Sequence, residues 1–460
     1  METNRGPWLA AGQAAAVLGV LLLPFSSLEI LSRPHVTAAS ALLALAAAFA
    51  AADALRARAA WRAFRPDPMV AAFLGWLLVS FAAGRLLWPK RLPGGADDFG
   101  REFAQVLLFL AIVPPALAWL FRKGASRTPG ALLLAAAAAA AIHLVPALDQ
   151  FLDPETFSGT AVAGCFSNPG LRDIREQGNA HLLGLFFAGT LPALAAVAAS
   201  PRQIGRAWAR AGIALLAAAG AFLTLSFGPF IAILAASAFA AALRSRRAAA
   251  IAGIAALLLL SFPSSGPRAR FAAFRDSLSL FETVPTKGSD GKTPGGVVAQ
   301  SGGSSLVVSR RYVRWMLCAN LSGAYFPFGT GFGTSQARMS EAYGFNRDLS
   351  IPNPNRALEL RDPYTEHTYL LLAAETGVPG AALFLAWLAA LVAAGVRRSK
   401  GDPDPVGAAL GAAAAAGLLG LAIAGIFAPI LNRTTLPLLA LLAAWVRPDP
   451  AESASPTGKP

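Results

Sequence analysis

Apolar runs long enough to cross a bilayer recur along nearly the whole chain, and they leave few folds open. A helix rises about 1.5 Å per residue, so a hydrocarbon layer of about 30 Å needs about 20 apolar residues. Twelve such runs are read, at about 8–30, 36–54, 68–88, 102–121, 129–148, 180–199, 207–225, 229–243, 247–263, 367–395, 405–427 and 429–446. Only 14% of the residues are charged, against about a quarter in soluble domains. The expected fold class is an all-α polytopic membrane protein of about 12 transmembrane helices. The first run, Trp8 to Leu23, is followed by Pro24-Phe25-Ser26-Ser27 and not by a small-x-small cleavage site, so it is read as a retained span. Small residues let helix backbones approach, and close packing is the main attraction between helices in lipid. The alanine runs near 131–141 and 411–416 therefore need only a packing role.

The short loops orient the bundle. With the N-terminus in the cytoplasm, the inside loops carry Arg56, Arg58, Arg62 and Arg65; Arg122, Lys123 and Arg127; Arg202, Arg206 and Arg210; Arg244, Arg246 and Arg247; and Arg397, Arg398 and Lys400. This is the bias that the positive-inside rule requires. With tails included, the inner side holds 19 Lys/Arg against 7 Asp/Glu, and the outer side 20 against 18. The net charge of +14 thus belongs to helix ends at one membrane face. No soluble basic face with interleaved aromatics is present, so no nucleic-acid partner is expected. The chain divides into spans 1–9 (1–263), a large outer loop (264–366), spans 10–12 (367–446) and a tail (447–460) that reads as disordered on the cytoplasmic side. Two smaller outer segments lie at about 89–101 and 149–179. Cys165 and Cys318 both fall outside. They are either a disulfide in an oxidising compartment or two small unpaired hydrophobes, and neither has metal-ligand spacing.

Polar chemistry collects between Ser261 and Gly380. Thr283 to Ser305 is rich in Gly, Ser, Thr, Pro and Lys and reads as a mobile linker. Val307 to Leu321 reads as an amphipathic helix at the membrane boundary, with Arg310, Arg311 and Arg314 on or near one face. The run Pro327-Phe328-Gly329-Thr330-Gly331-Phe332-Gly333 lacks the Gly-Lys-Ser/Thr ending of a phosphate-binding loop. Gly329, Gly331 and Gly333 are read instead as a structural turn that brings backbone close to another group. The outer arginines, among them Arg172, Arg175, Arg311, Arg314 and Arg433, offer planar bidentate donors for phosphate oxygens. The ordinary alternative for each is solvated charge or contact with lipid head groups.

Glu366 and His367 stand where the loop enters the next span. Partial desolvation there would raise the carboxylate pKa and lower that of histidine, and either could take a proton from a hydroxyl. His367 is slightly preferred because an imidazole needs less adjustment near neutral pH. A lone histidine at a helix start also serves commonly as a cap. Glu375, within the apolar run, is an intramembrane acid and so a candidate in its own right. Asp362 and Glu366 have no further oxygen ligands nearby, so no metal is expected. No nucleotide site is legible, so no cofactor is expected, and a donor would have to arrive already activated.

Three features in order resemble the O-antigen ligase and polymerase family. They are Arg311-x-x-x-Trp315, then Pro327-x-Gly329-x-Gly331-x-Gly333, then a polar pair opening a span with Glu375-x-Gly377-x-x-Gly380 further on. The similarity covers roughly residues 205–395. It implies a C-type membrane glycosyltransferase of lipopolysaccharide biosynthesis in the bacterial inner membrane, with both termini cytoplasmic and the active site periplasmic. It implies a glycan donor carried on undecaprenyl diphosphate, and lipid A core or another glycan as acceptor. Gly377 and Gly380 match the family pattern of His-Asn (or Ser or Gln), nine residues, Gly, two residues and a small residue. Counting back from Gly377 places Glu366 at the family's histidine and His367 at its neighbour. A second signature, Ser-Arg-Gly, stands here as Ser226-Phe227-Gly228, so the diphosphate-binding arginine expected there is missing. Arg311 matches its family position, while Arg314, Arg172, Arg175 and Arg433 are candidates by placement.

A ligase that hands a finished chain to a different acceptor is favoured by the single dominant outer loop. A repeat-unit polymerase remains the alternative, and the acid at the family's histidine position counts for it. A polysaccharide or lipid transporter is the rival from another class. Such folds usually show two related halves, and the two halves here differ.

Overall fold

The computed structural model of the protein describes residues 7–25, 29–31, 36–56, 64–88, 98–122, 130–152, 165, 176–198, 207–223, 227–243, 281–285, 298–301, 304–308, 310–334, 338, 367–432 and 435–447. Its helices are α1 (Pro7–Leu21), α2 (Ala38–Arg56), α3 (Pro68–Leu87), α4 (Asp98–Val106), α5 (Val113–Leu120), α6 (Gly130–Leu152), α7 (Glu176–Ala198), α8 (Ala207–Leu223) and α9 (Phe227–Ala242). Later in the chain come α10 (Arg310–Ala324), α11 (Thr368–Gly401), α12 (Pro405–Ala424) and α13 (Leu436–Val446). Among the described residues six helices are long and apolar enough to cross a membrane: Ala38–Arg56, Pro68–Leu87, Phe99–Leu120, Gly130–Asp149, Thr368–Gly401 and Pro405–Ala424. Pro7–Leu21, Leu182–Ala198, Gly228–Ala242 and Leu436–Val446 are shorter apolar helices. The protein is a helical, multi-pass membrane protein. The expected span at 247–263 lies outside the described residues.

Local chemistry accounts for the helix ends. Asp67 and Asp404 cap α3 and α12, accepting from Met69 N–H and from Val406 and Gly407 N–H, and each is followed by a proline at the first helical position. Proline suits that position because its missing N–H would be unsatisfied there anyway. Pro114 and Pro115 open α5, and a π-helical stretch, Leu107–Ile112, stands immediately before them. Proline cannot donate to the ladder and crowds the carbonyl four residues back, and the wider turn makes room for it.

Small residues join the helices. A Cβ on Gly417 would stand 2.5 Å from the Gly189 carbonyl oxygen of α7, and one on Gly420 would overlap the carbonyl of Ala188. The α7 and α12 backbones therefore touch with no side chain between them, as packing-driven association in lipid favours. Ala412 to Ala416 are each 0% exposed, which is the packing role expected of that alanine run.

Several boundaries differ from those read in the sequence. The helix α1 stops at Leu21, and Leu23–Phe25 form a 3-10 turn. The last helix begins at Leu436, not near 429, because Asn432 turns the chain: its Oδ1 accepts from Thr435 N–H at 2.9 Å. Thr283 to Ser305, read as a mobile linker, contributes to a three-stranded antiparallel sheet. Its strands are β3 (Phe281–Pro285), β4 (Val298–Ser301) and β5 (Ser304–Val308), in the order β3-β5-β4. Because β5 runs to Val308, the helix expected from Val307 starts at Arg310. A second, two-stranded pair, β1 (Glu29–Leu31) with β2 (Val36–Thr37), lies between α1 and α2.

Helix ends sort to the two ends of the bundle. At one end Arg122 pairs with Asp53 at 3.2 Å. There too, Arg447 donates to the Arg65 carbonyl, and Arg398 donates to the carbonyls of Trp445 and Arg447. At the opposite end the last turns of α3, the start of α4, the glycine-rich turn after α10, the start of α11 and the connection after α12 meet. The described basic residues Arg65, Arg122, Arg398 and Arg447 thus lie at the end opposite the glycine-rich turn.

Candidate active site

The second end is built around a break in α11. Gly377 has φ +70° and ψ 170° inside what is otherwise one helix, a conformation open in practice only to glycine. The first piece, Thr368 to Thr376, is about 14 Å long, and the second, Val378 to Gly401, about 36 Å. The second piece alone is long enough to span the hydrocarbon, and Glu375 belongs to the short entry helix. A single span over 367–395 was expected, and Gly377 followed by Pro379 divides it.

The glycine-rich turn completes the break. An ending helix leaves its last carbonyls without partners. Here Thr330 N–H donates to the Ala374 carbonyl at 2.9 Å and Gly331 N–H to the Glu375 carbonyl at 2.8 Å. From α3, Ser80 Oγ donates to the Glu375 carbonyl at 3.0 Å and to that of Phe328 at 2.7 Å, and Trp76 Nε1 donates to the Thr376 carbonyl at 2.7 Å. The entry helix is capped by residues 44 and about 300 positions away. Gly329, Gly331 and Gly333 all have positive φ, at 73°, 102° and 74°. A Cβ on Gly329 would lie 2.5 Å from both the Glu375 carbonyl oxygen and the Gly377 nitrogen, and one on Gly377 would overlap the Pro327 carbonyl. Two glycines therefore face each other where backbone meets backbone.

Next to this junction α10 lies on the entry helix. Leu317, Cys318, Leu321 and Tyr325 pack with Ala374, flanked by Leu370 and Trp88. One turn earlier, the Trp315 ring meets His367 edge to face, with centroids 5.1 Å apart and planes at 89°. His367 caps the entry helix: its Nδ1 accepts from Leu370 N–H at 3.2 Å. Tyr369 closes the other side of the imidazole at 5.8 Å. Burial holds the His367 pKa below its ordinary 6.5, against a smaller raising effect of a backbone hydrogen bond. Thr368 ties the helix start to the α12–α13 connection through Gly425, Ala428 and Ile430. Gly228, at the start of α9, packs against Phe427 of that same connection.

On the far side, Phe81 of α3 stacks on Phe99 of α4 at 3.7 Å, and Phe332 meets Phe99 edge-on. Arg338 is 2% exposed. It donates to Tyr325 Oη at 3.1 Å and to the Trp88 carbonyl at 2.8 Å, fastening the turn to the end of α3. Sequence reading missed Arg338, Ser80 and Trp76. For Ser80 the available signal was a hydroxyl in an apolar span, where polar side chains commonly bond across helices.

The structure therefore brings together His367, Gly329, Gly331, Gly333, Gly377 and Gly380 with the α10 segment that carries Arg311 and Arg314. Arg311 stands four residues, about one helical turn, before Trp315 in α10. Glu366, Arg172, Arg175 and Arg433 lie outside the described residues. Cys165 and Cys318 are not joined in a disulfide. Among the described residues no cluster of metal-ligating side chains is found.

A family model for O-antigen ligases matches residues 212–385, the stretch that holds α8, α9, the sheet, α10, the glycine-rich turn and the broken start of α11. The resemblance read from the residues is borne out over that stretch. No curated protein matches the chain.

Proposed function

From an O-antigen ligase signature that covers residues 212–385, we propose that the protein is a membrane glycosyltransferase. It would move a glycan from undecaprenyl diphosphate to an acceptor sugar, lipid A core or a similar glycan, at the periplasmic face of the bacterial inner membrane. The observation that carries this reading is a coincidence of place. The matched segment is the one whose distant pieces, α10, the glycine-rich turn and the entry helix of α11, are packed into one site at the end of the bundle opposite the basic loops. By the positive-inside rule that end faces away from the cytoplasm.

The chemistry follows from the donor. A lipid-linked diphosphate brings its own leaving group, so the reaction needs no nucleotide. The acceptor hydroxyl loses its proton to the Glu366-His367 pair as its oxygen bonds the anomeric carbon. The bond from that carbon to the phosphate oxygen breaks, and the electron pair leaves on the diphosphate. Arg311, helped by Arg314, Arg172, Arg175 or Arg433, neutralises the charge that develops there, a preorganised electrostatic contribution. A rigid entry helix, fixed at both ends by distant segments, holds the base against the donor.

The same chemistry fits a polymerase, in which the acceptor is a second lipid-linked glycan. Deleting the gene separates the two. Loss of a ligase leaves long glycan chains on the lipid carrier and none on the acceptor. Acceptor that bears a single repeat unit overturns the ligase reading in favour of the polymerase.

A further inference from the structure

We infer that α3 is part of the transfer site, with Ser80 as a positioning residue that couples the glycine-rich turn to the entry helix of α11. The inference deepens the reading above and rests on it. The family match begins at residue 212, so nothing in it assigns a role to α3. Trp76, Ser80 and Gly84 are spaced four apart and therefore lie one above another on one face of that helix. All three meet the junction. The Trp76 ring stacks on Phe328 at 5.7 Å with planes at 24°, while its Nε1 donates to the Thr376 carbonyl. One turn on, Ser80 reaches the carbonyls of Phe328 and Glu375. At the next turn a Cβ on Gly84 would stand 2.7 Å from the Thr330 carbonyl oxygen and 3.2 Å from the Gly331 nitrogen. The α3 backbone therefore lies directly against the glycine-rich turn.

Ser80 engages both pieces with a single atom. A serine hydroxyl has one proton to donate, and here a carbonyl of the turn and a carbonyl of the entry helix share it. Ser80 is 0% exposed, and a shared bond in so closed a place holds turn and helix at one separation. The entry helix is short, so the points that fix its ends decide where its side chains stand. Its start, with His367 against Trp315, is tied through Thr368 to Gly425, Ala428 and Ile430. Its far end is held by Thr330 and Gly331 of the turn and by Ser80 and Trp76 of α3. Without the Ser80 hydroxyl, turn and helix keep their bonds to each other, but α3 no longer fixes both at once. Ser80 contacts neither donor nor acceptor and acts through the entry helix. A misplacement of about 1 Å costs about a hundredfold in rate, so a partial loss of register appears first in kcat.

Ser80→Ala, Ser80→Cys and Trp76→Phe test this in the full-length protein, given a polyprenyl-diphosphate glycan and its acceptor. Ser80→Ala should lower kcat by about tenfold or more and leave the KM for the donor within about threefold, the pattern of lost positioning and not of lost ground-state binding. Ser80→Cys, a weaker donor of similar shape, should fall between Ala and wild type, and it carries the same criteria if Ser80→Ala fails to assemble. Trp76→Phe keeps a ring on Phe328, loses the N–H alone and should also lower kcat. Thr190→Val is the control, since Thr190 is 2% exposed and its hydroxyl donates within α7 to the Phe186 carbonyl; it should transfer as the wild type does. A loss in Ser80→Ala no larger than in Thr190→Val overturns the inference. The coupling is read without activity by hydrogen–deuterium exchange of the peptide that contains Thr330 and Gly331, whose amides donate to the entry helix. That peptide should exchange about tenfold faster in Ser80→Ala while α7 and α12 keep their rates, as for a local opening. Unchanged exchange at the turn, or faster exchange throughout the bundle, reduces Ser80 to general packing and overturns the inference. A wild-type protein that transfers nothing removes the functional reading, and the exchange rates then decide the coupling by themselves.

Discussion

Gly377→Ala should be among the most damaging single-methyl changes in the protein. Its backbone, at φ +70° and ψ 170°, costs a side-chain-bearing residue about 1–3 kcal/mol. The new Cβ would overlap the Pro327 carbonyl, so the glycine-rich turn must move off the entry helix. That displacement breaks the bonds from Thr330 to Ala374 and from Gly331 to Glu375, at about 0.5–1.5 kcal/mol each. The sum is about 2–6 kcal/mol, a large part of the 5–15 kcal/mol that holds a typical domain together. Gly380→Ala is the internal control. Its Cβ would overlap the Thr376 side chain and stand 2.8 Å from Trp76 Cδ1. No carbonyl of another segment stands in the way there, and the overpacking costs about 1–3 kcal/mol. Equilibrium unfolding of the purified protein in mixed micelles, followed by tryptophan fluorescence, measures both. Equal, small losses for the two variants would show that the turn does not lock the break, and the argument for a preorganised entry helix would fail.

Three further outcomes are expected. Arg311→Ala should lower transfer by one to a few orders of magnitude, with Arg314→Ala milder; equal mild effects would reduce both arginines to surface electrostatics. Arg122→Ala should cost about 1–3 kcal/mol of stability, because it leaves Asp53 with only Trp119 Nε1 as a partner in the Asp53–Arg122–Trp119 group; an unchanged unfolding midpoint would remove that anchor from the account. The His367 pKa lies lower in the folded protein than its ordinary 6.5, so the unfolded chain takes up the proton first as pH falls. The His367 contribution to stability is therefore full above about pH 6.5 and declines below it toward the folded pKa, and His367→Asn should flatten that part of the stability–pH curve measured by thermal unfolding.

Much of the membrane architecture was legible because an apolar run of fixed length has one economical fate in lipid. The alanine run at 411–416 showed its packing role for the same reason. The glycine-rich turn was legible as a tight turn, but its partner was not. Nothing in Pro327 to Gly333 names Gly377, and the bonds between them depend on three segments meeting. The break itself did leave a mark, since Gly377 and Pro379 interrupt an otherwise apolar helix, and the length of that run obscured it. His367 was read both as a base and as a helix cap, and the Leu370 bond shows the cap. The linker reading of 283–305 missed the strand residues at its two ends. Gly302-Gly303 between Ser301 and Ser304 is a hairpin spacing, and the surrounding Ser, Thr and Lys masked it. Arg338 carried no motif, and only its burial against Tyr325 and Trp88 reveals it.

The central claim is that this helical bundle transfers a glycan from a lipid diphosphate without help from a nucleotide. Its most direct test is the purified protein in liposomes, given a polyprenyl-diphosphate-linked glycan and a candidate acceptor, with no nucleotide and with a chelator present. The products are resolved by mass spectrometry. The account predicts free polyprenyl diphosphate and glycosylated acceptor in equal amounts, both lost in Arg311→Ala. Donor that remains intact across acceptors, or transfer that begins only when a nucleotide is added, would contradict it.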